Sequence, residues 1–297
     1  MKQKVLILGK GYIGTKLAAY LKHIGDIECT CVSQKEFNYI NTIGLAGCYD
    51  EYNPEIIVNA CGYTGKPNVD ACENNRATFW EYNVTFPTRL AHFCDKTNTH
   101  LIHMGSGCIY EELYAPEDRD INEDTPPNFG LYDERSSWYS KSKHASELAI
   151  QSTLSNYHIL RLRMPFDHVV SERNFLCKVL KYDKLIVHQN SMTCIDDLCI
   201  FTERLVKNYK NIDPGIYNVC NTGHASIKDI VEIFTKYNTI NKNWEFVSLY
   251  SLKLQAGRSN VVLSTNKIKK LGLELPDLKQ SLDRNINKLC QELKNIN

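Results

Sequence analysis

The sequence has little surplus charge and no long apolar run. It carries 35 lysines and arginines against 34 aspartates and glutamates, a formal net charge of +1, and the basic residues are spread along the chain. A protein that neutralises many phosphates needs concentrated positive charge, so we do not expect nucleic acid as a main partner. No run reaches the roughly 20 apolar residues that span a bilayer, so we expect no membrane partner.

The sequence also lacks the features of a secreted or metal-binding protein. "MKQKVLILGKGYIG" starts with a brief apolar run, but glycines follow and no small-residue cleavage site is present. Twelve cysteines are scattered through apparent strands and helices, and no Cys-x-x-Cys occurs. Cys29-x-Cys31 is too short a spacing for the usual zinc pair. We expect a cytoplasmic protein with reduced thiols and no metal.

What the sequence does contain is an alternation of buried strands and helices. The apolar strand candidates are "KVLILG", "DIECTCVS", "EIIVNACG", "THLIHMGS" and "YHILRLRMP", and helical stretches at 69–96 and 137–154 separate the later ones. This order predicts an α/β protein with a Rossmann-type, doubly wound parallel sheet. With 297 residues and 43% hydrophobic content, the chain can bury a large core.

The later half of the sequence is less regular. Helical stretches near 173–182, 195–210 and 226–238 alternate with short strands and lead into a tail rich in lysine and asparagine. We therefore predict a boundary near residue 165, with a first domain over 1–165 and a smaller α/β C-terminal domain over 166–297. The segment near 187–222, which includes "GIYNVCN", could rejoin the first domain.

The motif "GKGYIG" lies between the first strand and the first helix and matches G-x-G-x-x-G. Gly9 would make the tight turn, Gly11 would let the backbone approach a pyrophosphate, and Gly14 would allow close contact between helix and strand. The other loop residues assigned to this cofactor site are Lys10, Tyr12 and Ile13. The alternative is an ordinary strand-to-helix turn.

The residues after the second strand favour NADPH over NADH. A site for NADH normally has an acidic residue about 20 positions beyond the loop, where it binds the ribose 2′-hydroxyl. Ser33, Gln34 and Lys35 occupy this place. Without a carboxylate there, Ser33, Lys35 and also Lys10 could bind a 2′-phosphate. We predict that 1–165 is an NADP-binding domain.

Tyr139 and Lys143 are four positions apart in a predicted helix and therefore share one face. A lysine near a phenol lowers the pKa of the phenol, which makes tyrosine a usable acid or base near neutral pH. The alternative for an isolated pair of this kind is an exposed helix face.

The order of these features resembles the extended short-chain dehydrogenase/reductase family. The matching residues are the glycine loop, "NACG" at Asn59, Ala60, Cys61 and Gly62, then Ser106, Tyr139 and Lys143. The resemblance implies that Ser106 and Tyr139 hold the substrate carbonyl oxygen and that Lys143 binds the nicotinamide ribose. It also places Asn59 to Gly62 and Pro165 beside the cofactor. The glycine spacing departs from the usual G-x-x-G-x-x-G of extended members.

A closer resemblance covers nearly the whole chain. Segments such as "NACGYTGKPNVDACE", "GSGCIY", "WYSKSK", "LRLRMP", "RNFLCKVLKYDK" and "GRSN" resemble the bifunctional 3,5-epimerase/4-reductases that complete UDP-L-rhamnose synthesis. GDP-fucose synthases resemble it more distantly. The resemblance implies conversion of UDP-4-keto-6-deoxy-D-glucose to UDP-β-L-rhamnose with NADPH. The alternative is a 4-keto reductase only, acting on a dTDP- or GDP-linked sugar.

Epimerisation requires an acid/base pair beside the sugar. The protons at C3 and C5 flank the C4 ketone, so removing one gives a stabilised enolate that can be reprotonated from the other face. Cys108 lies two residues after Ser106, on the same face if the strand continues, and the resemblance supports it as the base. By resemblance Lys178 is its partner. The alternatives are a small core residue for Cys108 and an exposed helix lysine for Lys178. We interpret His103 as a satisfied strand residue.

The second domain should hold the nucleotide sugar. By resemblance, Arg258 binds the pyrophosphate and Asn174 contacts phosphate or sugar. Thr64 and Lys66, after the third strand, could line the sugar pocket, or be loop residues without a ligand. The resemblance also implies a homodimer, formed by the helices near 80–96 and 138–154.

Another possible function is a catalytically inactive Rossmann protein that senses dinucleotide. Such proteins tend to lose the tyrosine or the lysine. Ser106, Tyr139 and Lys143 are all present in this chain, which favours an enzyme.

Overall fold

The computed structural model of the chain describes residues 2–66, 68–112, 120–237 and 242–296. The strands are β1 Gln3–Leu8, β2 Ile27–Val32, β3 Ile56–Asn59, β4 His100–Ser106, β5 Tyr157–Leu162, β6 Lys184–Ile186, β7 Gln189–Asn190, β8 Gly215–Asn218, β9 Asn221–Thr222, β10 Ala225–Ser226, β11 Glu245–Val247 and β12 Leu275–Asp277.

Helices connect most of the long strands. They are α1 Tyr12–Leu21, α2 Thr42–Tyr52, α3 Ala71–Asn74, α4 Arg76–Trp80, α5 Phe86–Thr97, α6 Trp138–Thr153, α7 Phe175–Lys181, α8 Ile195–Asn208, α9 Ile227–Lys236, α10 Asn266–Lys270 and α11 Leu278–Ile296. A π-helical segment, Glu81–Thr85, joins α4 to α5, and a short 3₁₀ turn, Gly107–Ile109, follows β4.

Six strands form one parallel sheet in the order β2-β1-β3-β4-β5-β8. β1 and β3, near the middle of the sheet, contain continuous buried apolar runs, as is typical of parallel strands covered by helices on both faces. The predicted Rossmann-type parallel sheet is confirmed. The strand order reverses at β1, between β2 and β3. In open α/β sheets, ligands bind outside the carboxyl ends of the strands at this reversal.

Each face of the sheet has its own apolar core. On one face, Leu17 of α1 and Leu198 of α8 pack against sheet residues such as Val58. On the other face, Leu90 of α5 and Ile150 of α6 belong to a second cluster. The helices that carry the glycine loop and the Tyr139 pair are therefore fixed to opposite faces of one rigid sheet.

The C-terminal part forms a third core around α7, α9 and α11, with Phe166, Leu176, Phe234 and Leu282 among its buried members. Three short two-stranded pairings, β6 with β11, β7 with β10 and β9 with β12, surround this core. Within the segment 187–222, β8 pairs in parallel with β5 and so extends the main sheet. The C-terminal part thus faces the carboxyl ends of the main sheet's strands.

No helix in the described ranges is long and apolar enough to cross a membrane. In the same ranges, histidine, cysteine, aspartate and glutamate nowhere gather in a group of three or more that could hold a metal ion. All twelve cysteines are free thiols.

Candidate active site

The glycine loop has the geometry that a dinucleotide requires. Gly9 has φ +111°, a conformation that side chains rarely adopt, and a methyl group on it would lie 3.0 Å from the Cys61 sulfur. A methyl group on Gly14 would lie 2.0 Å from the Gly9 carbonyl oxygen. Gly11, at the N-terminus of α1, has open space around it. The loop therefore packs tightly at two glycines and leaves the third open to a pyrophosphate.

The end of β2 corrects one expectation from the sequence. A carboxylate does lie there, because the chain turns after Ser33 and brings Glu36 back. Glu36 accepts hydrogen bonds from the Ser33 amide and hydroxyl, each at 2.7 Å, and pairs with Lys10 at 2.5 Å. These bonds lower the pKa of Glu36 to about 2, with the Lys10 bond the largest cause. Gln34 accepts a bond from Tyr82 and Lys35 is exposed.

The "NACG" segment lines the neighbouring strand end. Asn59 is fully buried, and its side chain contacts His103 Nδ1 at 3.0 Å and accepts a hydrogen bond from the Cys61 amide. Ala60 lies against the glycine loop, and Gly62 is exposed. The strand order reverses at β1, which we call the switch point of the sheet. The "NACG" segment therefore borders the space above this switch point, on the side of β1 away from β2.

Lys143 is not on an exposed helix face. Ser137 caps the start of α6, and the helix places Lys143 in the interior, where its ammonium donates to the Met104 carbonyl at 2.8 Å and lies 3.5 Å from His103 Nε2. Burial is the main cause that lowers the pKa of Lys143, to about 8. His103, also buried, has its pKa lowered by burial and by Lys143. This excludes the alternative of an exposed helix face.

The buried lysine makes stability depend on pH. Below pH 8 Lys143 is charged in both states, so the folded state bears the full cost of burying an ammonium. As the pH rises from about 8 towards 10.5, the folded lysine is neutral while the unfolded one still binds a proton, and the cost is relieved. The Lys143→Met variant does not bear this cost at any pH. We therefore expect its free energy of unfolding, minus that of wild type, to be about 2 kcal/mol larger at pH 7 than at pH 10.

Urea unfolding of both proteins at the two pH values measures this difference. Lys270→Met, at an exposed position on α10, controls for general effects of alkaline pH. An Lys143→Met effect that is the same at pH 7 and pH 10 would show that the ammonium is not buried as described.

Tyr139 and Ser106 meet at the carboxyl end of β4. Ser106 is the last residue of β4, and its side chain is close enough to the Tyr139 phenol to act on its pKa. The pKa of Tyr139 is raised, mainly by burial and then by charge on Cys108, while Ser106, Arg163 and Arg173 act in the opposite direction. The sequence predicted a lowered pKa next to Lys143, whereas burial raises the pKa of Tyr139, and the Lys143 ammonium donates to the Met104 carbonyl. Tyr139 is therefore protonated at neutral pH and is a proton donor.

Cys108 lies close to Ser106 and Tyr139, but its position is set by a turn and not by the strand that the sequence predicted. The strand does not continue past Ser106, because Gly107–Ile109 forms a 3₁₀ turn whose Cys108 amide donates to Ser106 Oγ at 3.2 Å. The half-buried sulfur accepts a hydrogen bond of 3.0 Å from Nη1 of Arg163. Cys108 is thus neither a core residue nor a strand residue.

Lys178, in the C-terminal part, lies within electrostatic range of Cys108. It is half-buried on α7, and its pKa is lowered first by burial and then by Arg173, whereas charge on Cys108 acts in the opposite sense. The charge on Cys108 also acts on Lys143 and on Tyr139. One thiol, one phenol and two lysines are therefore close enough to influence one another.

Two of the four predicted substrate residues are held by other protein groups. Asn174 is fully buried and caps α7, and its amide nitrogen donates to Asp167 and Val169. The side chain of Asn174 is thus engaged with the protein, and its contact with substrate stays a prediction. Arg258 is half-buried and forms a 2.9 Å ion pair with Asp70.

The other two predicted substrate residues lie after β3. Thr64 is exposed and accepts a hydrogen bond from Arg173, which also donates to the Gly65 carbonyl at 2.9 Å. Lys66 is exposed. Arg173 thus joins the loop after β3 to the segment that carries Lys178.

The backbone after β5 is strained beside these groups. Met164, between Arg163 and Pro165, has φ +36°, which is unusual for a residue with a side chain. Pro165 is half-buried, and Phe166 after it belongs to the third core. This sharp turn sends the chain from the main sheet into the C-terminal part and leaves Arg163 at the edge of the site.

Sequence reasoning missed three residues here: Glu36, Arg163 and Arg173. Arg163 and Arg173 lie within "LRLRMP" and "RNF", segments that were recognised only for their resemblance. The signal available for Arg163 was its position two residues after Arg161 in the predicted buried segment "YHILRLRMP", where a charge needs a specific partner. Glu36 is three residues beyond Ser33, within reach of a tight turn.

A glycine loop at the switch point, a serine at the end of β4 and a Tyr-x-x-x-Lys pair on the next long helix define an extended short-chain dehydrogenase/reductase. The residues present also fit a nicotinamide dinucleotide, since the loop is open at Gly11 and Lys143 is buried within hydrogen-bond reach of the strand ends.

Comparison with known proteins names the family. The chain belongs to the family described as "RmlD substrate binding domain", whose model matches residues 3–291. The resemblance to extended short-chain dehydrogenases/reductases and to rhamnose-forming enzymes is thereby confirmed.

Two kinds of relative are informative. A bifunctional dTDP-4-dehydrorhamnose 3,5-epimerase/dTDP-4-dehydrorhamnose reductase of Arabidopsis thaliana is 33% identical over 242 residues, which cover 78% of this chain and 76% of that protein. A trifunctional UDP-glucose 4,6-dehydratase/3,5-epimerase/reductase of the same plant is 33% identical over 94% of this chain, but the match spans only 41% of the longer protein.

Solved structures agree with these relatives. The L780 UDP-rhamnose synthase of Acanthamoeba polyphaga mimivirus superposes with a TM-score of 0.85 at 26% identity, covering 97% of this chain and 100% of that one. A dTDP-4-dehydrorhamnose reductase of Bacillus anthracis, solved with NADP, superposes with a TM-score of 0.80 at 21% identity, covering 96% and 98%. The second likeness shows the fold alone.

Proposed function

We propose that this protein is a bifunctional 3,5-epimerase/4-keto reductase that converts UDP-4-keto-6-deoxy-D-glucose to UDP-β-L-rhamnose with NADPH. The observation that carries the proposal is the grouping of Cys108 with Ser106 and Tyr139, opposite Lys178. A reductase alone needs the serine, the tyrosine and Lys143. The thiol and the second lysine in the same space supply the acid and base for epimerisation.

The reductase half has the broader support. Enzymes of nucleotide-rhamnose synthesis that reduce a 4-keto sugar are among the relatives and among the solved structures of the same fold. The preference for UDP over other nucleotides and the epimerase activity are more specific proposals. At 26–33% identity to the relatives, their support comes from the geometry of this chain.

Epimerisation uses two side chains on opposite elements. Cys108, as a thiolate, removes the proton from C3 or C5, and the electron pair of the broken C–H bond forms the enolate of the C4 ketone. The hydroxyls of Ser106 and Tyr139 donate hydrogen bonds to the enolate oxygen. Lys178, on α7, returns a proton from the other face of the ring, which inverts the carbon.

Reduction occurs in the same space. When bound, reduced nicotinamide would supply the hydride for C4. Tyr139 transfers its proton to the developing alkoxide, which its protonated state at neutral pH allows. Lys143, which donates to the Met104 carbonyl, would bind the nicotinamide ribose, and Pro165 would lie beside the nicotinamide.

The proposed cofactor is NADPH, bound at the glycine loop. Its 2′-phosphate would take hydrogen bonds from Ser33 and charge from Lys10 and Lys35. In this structure the Glu36 carboxylate already holds Ser33 and Lys10, so it competes with the phosphate for the same donors. This competition predicts a weaker preference for NADPH than the sequence alone suggested.

Replacing Glu36 by glutamine is therefore expected to tighten NADPH binding. Loss of the negative charge removes repulsion of the 2′-phosphate and frees Lys10, so we expect the dissociation constant for NADPH to fall at least about threefold. Fluorescence titration with NADPH and with NADH measures both constants, and the NADH constant should change less. Glu28→Gln, exposed on β2, is the matched control. An unchanged NADPH constant would place the phosphate elsewhere.

Substrate binding is assigned to the C-terminal part and the loop after β3. Arg258 is proposed for the pyrophosphate, where it would exchange its Asp70 partner for phosphate oxygens. Arg173, beside Thr64, adds a second cation at the mouth of the site. Lys66 is exposed within the same loop region.

Exchange with solvent tests the proposed function. The protein is incubated with UDP-4-keto-6-deoxy-D-glucose in deuterated water without NADPH, and the sugar is analysed by NMR. We expect deuterium at both C3 and C5. If neither position exchanges, the protein is a reductase only and the epimerase half of the proposal is wrong.

We also propose that the protein is a cytoplasmic homodimer. The support is the family resemblance and the position of α5 and α6, which pack side by side on one face of the sheet. Sedimentation equilibrium is expected to give twice the 34.1 kDa mass of the chain, and a single-chain mass would contradict the dimer.

A further inference from the structure

Arg163 is a fully buried cation next to the candidate base. It follows β5 by one residue and is 1% exposed. Its Nη1 donates to Cys108 Sγ at 3.0 Å and to the Ser259 hydroxyl at 3.2 Å. Its Nη2 donates to Asn190 Oδ1 at 2.5 Å and to the Ser259 carbonyl at 3.1 Å. Cys108 is thus the one contact in this set that can itself become an anion.

A buried guanidinium normally has an anionic partner, because burying an unpaired charge is costly. The contrast with Arg161, two residues earlier, is direct: that buried arginine pairs with the carboxylate of Glu147 at 2.5 Å. Over the described residues Arg163 forms no ion pair with a carboxylate, and its Nε has no hydrogen-bond partner there. Glu112 acts on Arg163 through its charge without forming an ion pair with it. Among the groups hydrogen-bonded to the guanidinium, the sulfur of Cys108 is the one that can supply a negative charge.

We propose that Arg163 is a positioning residue that holds Cys108 towards the substrate cavity and stabilises its thiolate. The inference rests on the proposed epimerase function and deepens it. Arg163 exchanges no proton. In the step itself the C–H proton moves to the sulfur and the C–H electron pair enters the enolate, so the guanidinium loses its anionic partner and keeps its neutral acceptors Asn190 and Ser259.

Other groups also act on the charge at Cys108. They are Tyr139 and Lys143 of α6, Lys178 of α7 and Cys220 after β8. Arg163 differs from Lys143 and Lys178 because its Nη1 donates a direct hydrogen bond to the sulfur. It also contacts Ser259, the neighbour of Arg258, so the same guanidinium links the thiol to the segment proposed to bind the pyrophosphate.

The alternative is a purely structural role, in which Arg163 connects the end of β5 to the "GRSN" segment through its hydrogen bonds to Ser259. Three variants separate the two roles: Arg163→Met removes the charge, Arg163→Lys keeps it, and Ser259→Ala removes a contact of the same Nη1 while leaving its bond to Cys108. The readout is the rate of iodoacetamide labelling of Cys108 from pH 6 to pH 10, followed by mass spectrometry of its peptide. Circular dichroism checks that each variant folds.

The proposal predicts that Arg163→Met slows labelling of Cys108 at pH 7 by at least about tenfold and moves the pH–rate profile to higher pH. Arg163→Lys should recover part of the rate, and Ser259→Ala should label like wild type. An Arg163→Met profile that matches wild type would overturn the proposal. Equal slowing in Arg163→Met and Ser259→Ala would also overturn it, because that outcome would assign the effect to the structural link between β5 and the "GRSN" segment.

Deuterium exchange in the same variants links the result to function. Exchange at C3 and C5 should fall by at least about thirtyfold in Arg163→Met and recover in part in Arg163→Lys. The two failures are distinguishable. If wild type shows no deuterium exchange at C3 or C5, the proposed function is wrong. The labelling of Cys108 in the variants then still tests whether Arg163 stabilises the thiolate.

Discussion

Replacing Cys108 by serine is expected to abolish epimerisation and to spare reduction. A serine hydroxyl occupies nearly the same position but is a far weaker acid than a thiol, so it is not an anion at neutral pH and cannot remove the C3 or C5 proton. We expect the rate of deuterium exchange to fall by at least about 10³. A substrate already inverted at both carbons should still be reduced within about tenfold of the wild-type rate, because Ser106, Tyr139 and Lys143 remain in place.

The matched control is Cys177→Ser on α7, a half-buried thiol one residue before Lys178. Burial raises the pKa of Cys177, so it remains a neutral thiol. Its variant should exchange deuterium like wild type. Retention of exchange in Cys108→Ser would assign the base to another residue, and loss of exchange in Cys177→Ser would show a general disturbance of the site.

Replacing Tyr139 by phenylalanine is expected to have the opposite selectivity. The substitution removes the proton donor for the alkoxide, so reduction should fall by roughly 10²–10⁴. Exchange at C3 and C5 should fall less, because Cys108 and Lys178 still move the protons and the Ser106 hydroxyl still donates to the C4 oxygen. Stopped-flow oxidation of NADPH measures the first rate, and NMR of the sugar in deuterated water measures the second.

Tyr132→Phe is the control, since that tyrosine lies before the same helix and is 84% exposed. It should reduce and exchange at wild-type rates. If Tyr139→Phe reduces the ketone at more than about a tenth of the wild-type rate, another group donates the proton. If it instead loses exchange and reduction equally, the two half-reactions are not separable in the way described.

The elements of the main sheet could be predicted because their signals are local. "KVLILG" is a continuous apolar run ended by glycine, and burial of β1 follows from that run alone. The glycine loop and the Tyr139 pair are likewise short motifs in which spacing carries the geometry. The order of strands is different, because it depends on which strands pair. The sequence indicated only that the segment with "GIYNVCN" could rejoin the first domain, and the structure shows that β8 pairs with β5.

The predictions that failed depended on turns and on charges brought together by packing. Cys108 was placed by strand alternation, yet the strand ends at Ser106 and a 3₁₀ turn positions the thiol. Counting about 20 residues from the loop missed Glu36, because a tight turn returns it to Ser33. Resemblance alone assigned Asn174 to substrate, and this assignment stays a prediction, because the structure shows only that its side chain caps α7.

One product analysis tests most directly whether a single cavity performs both reactions. The protein is given UDP-4-keto-6-deoxy-D-glucose and NADPH in deuterated water, and the product is examined by NMR. The account predicts one product, UDP-β-L-rhamnose, with deuterium at C3 and C5 and hydrogen from the cofactor at C4. A reduced sugar that keeps its original hydrogens and configuration at C3 and C5 would contradict it.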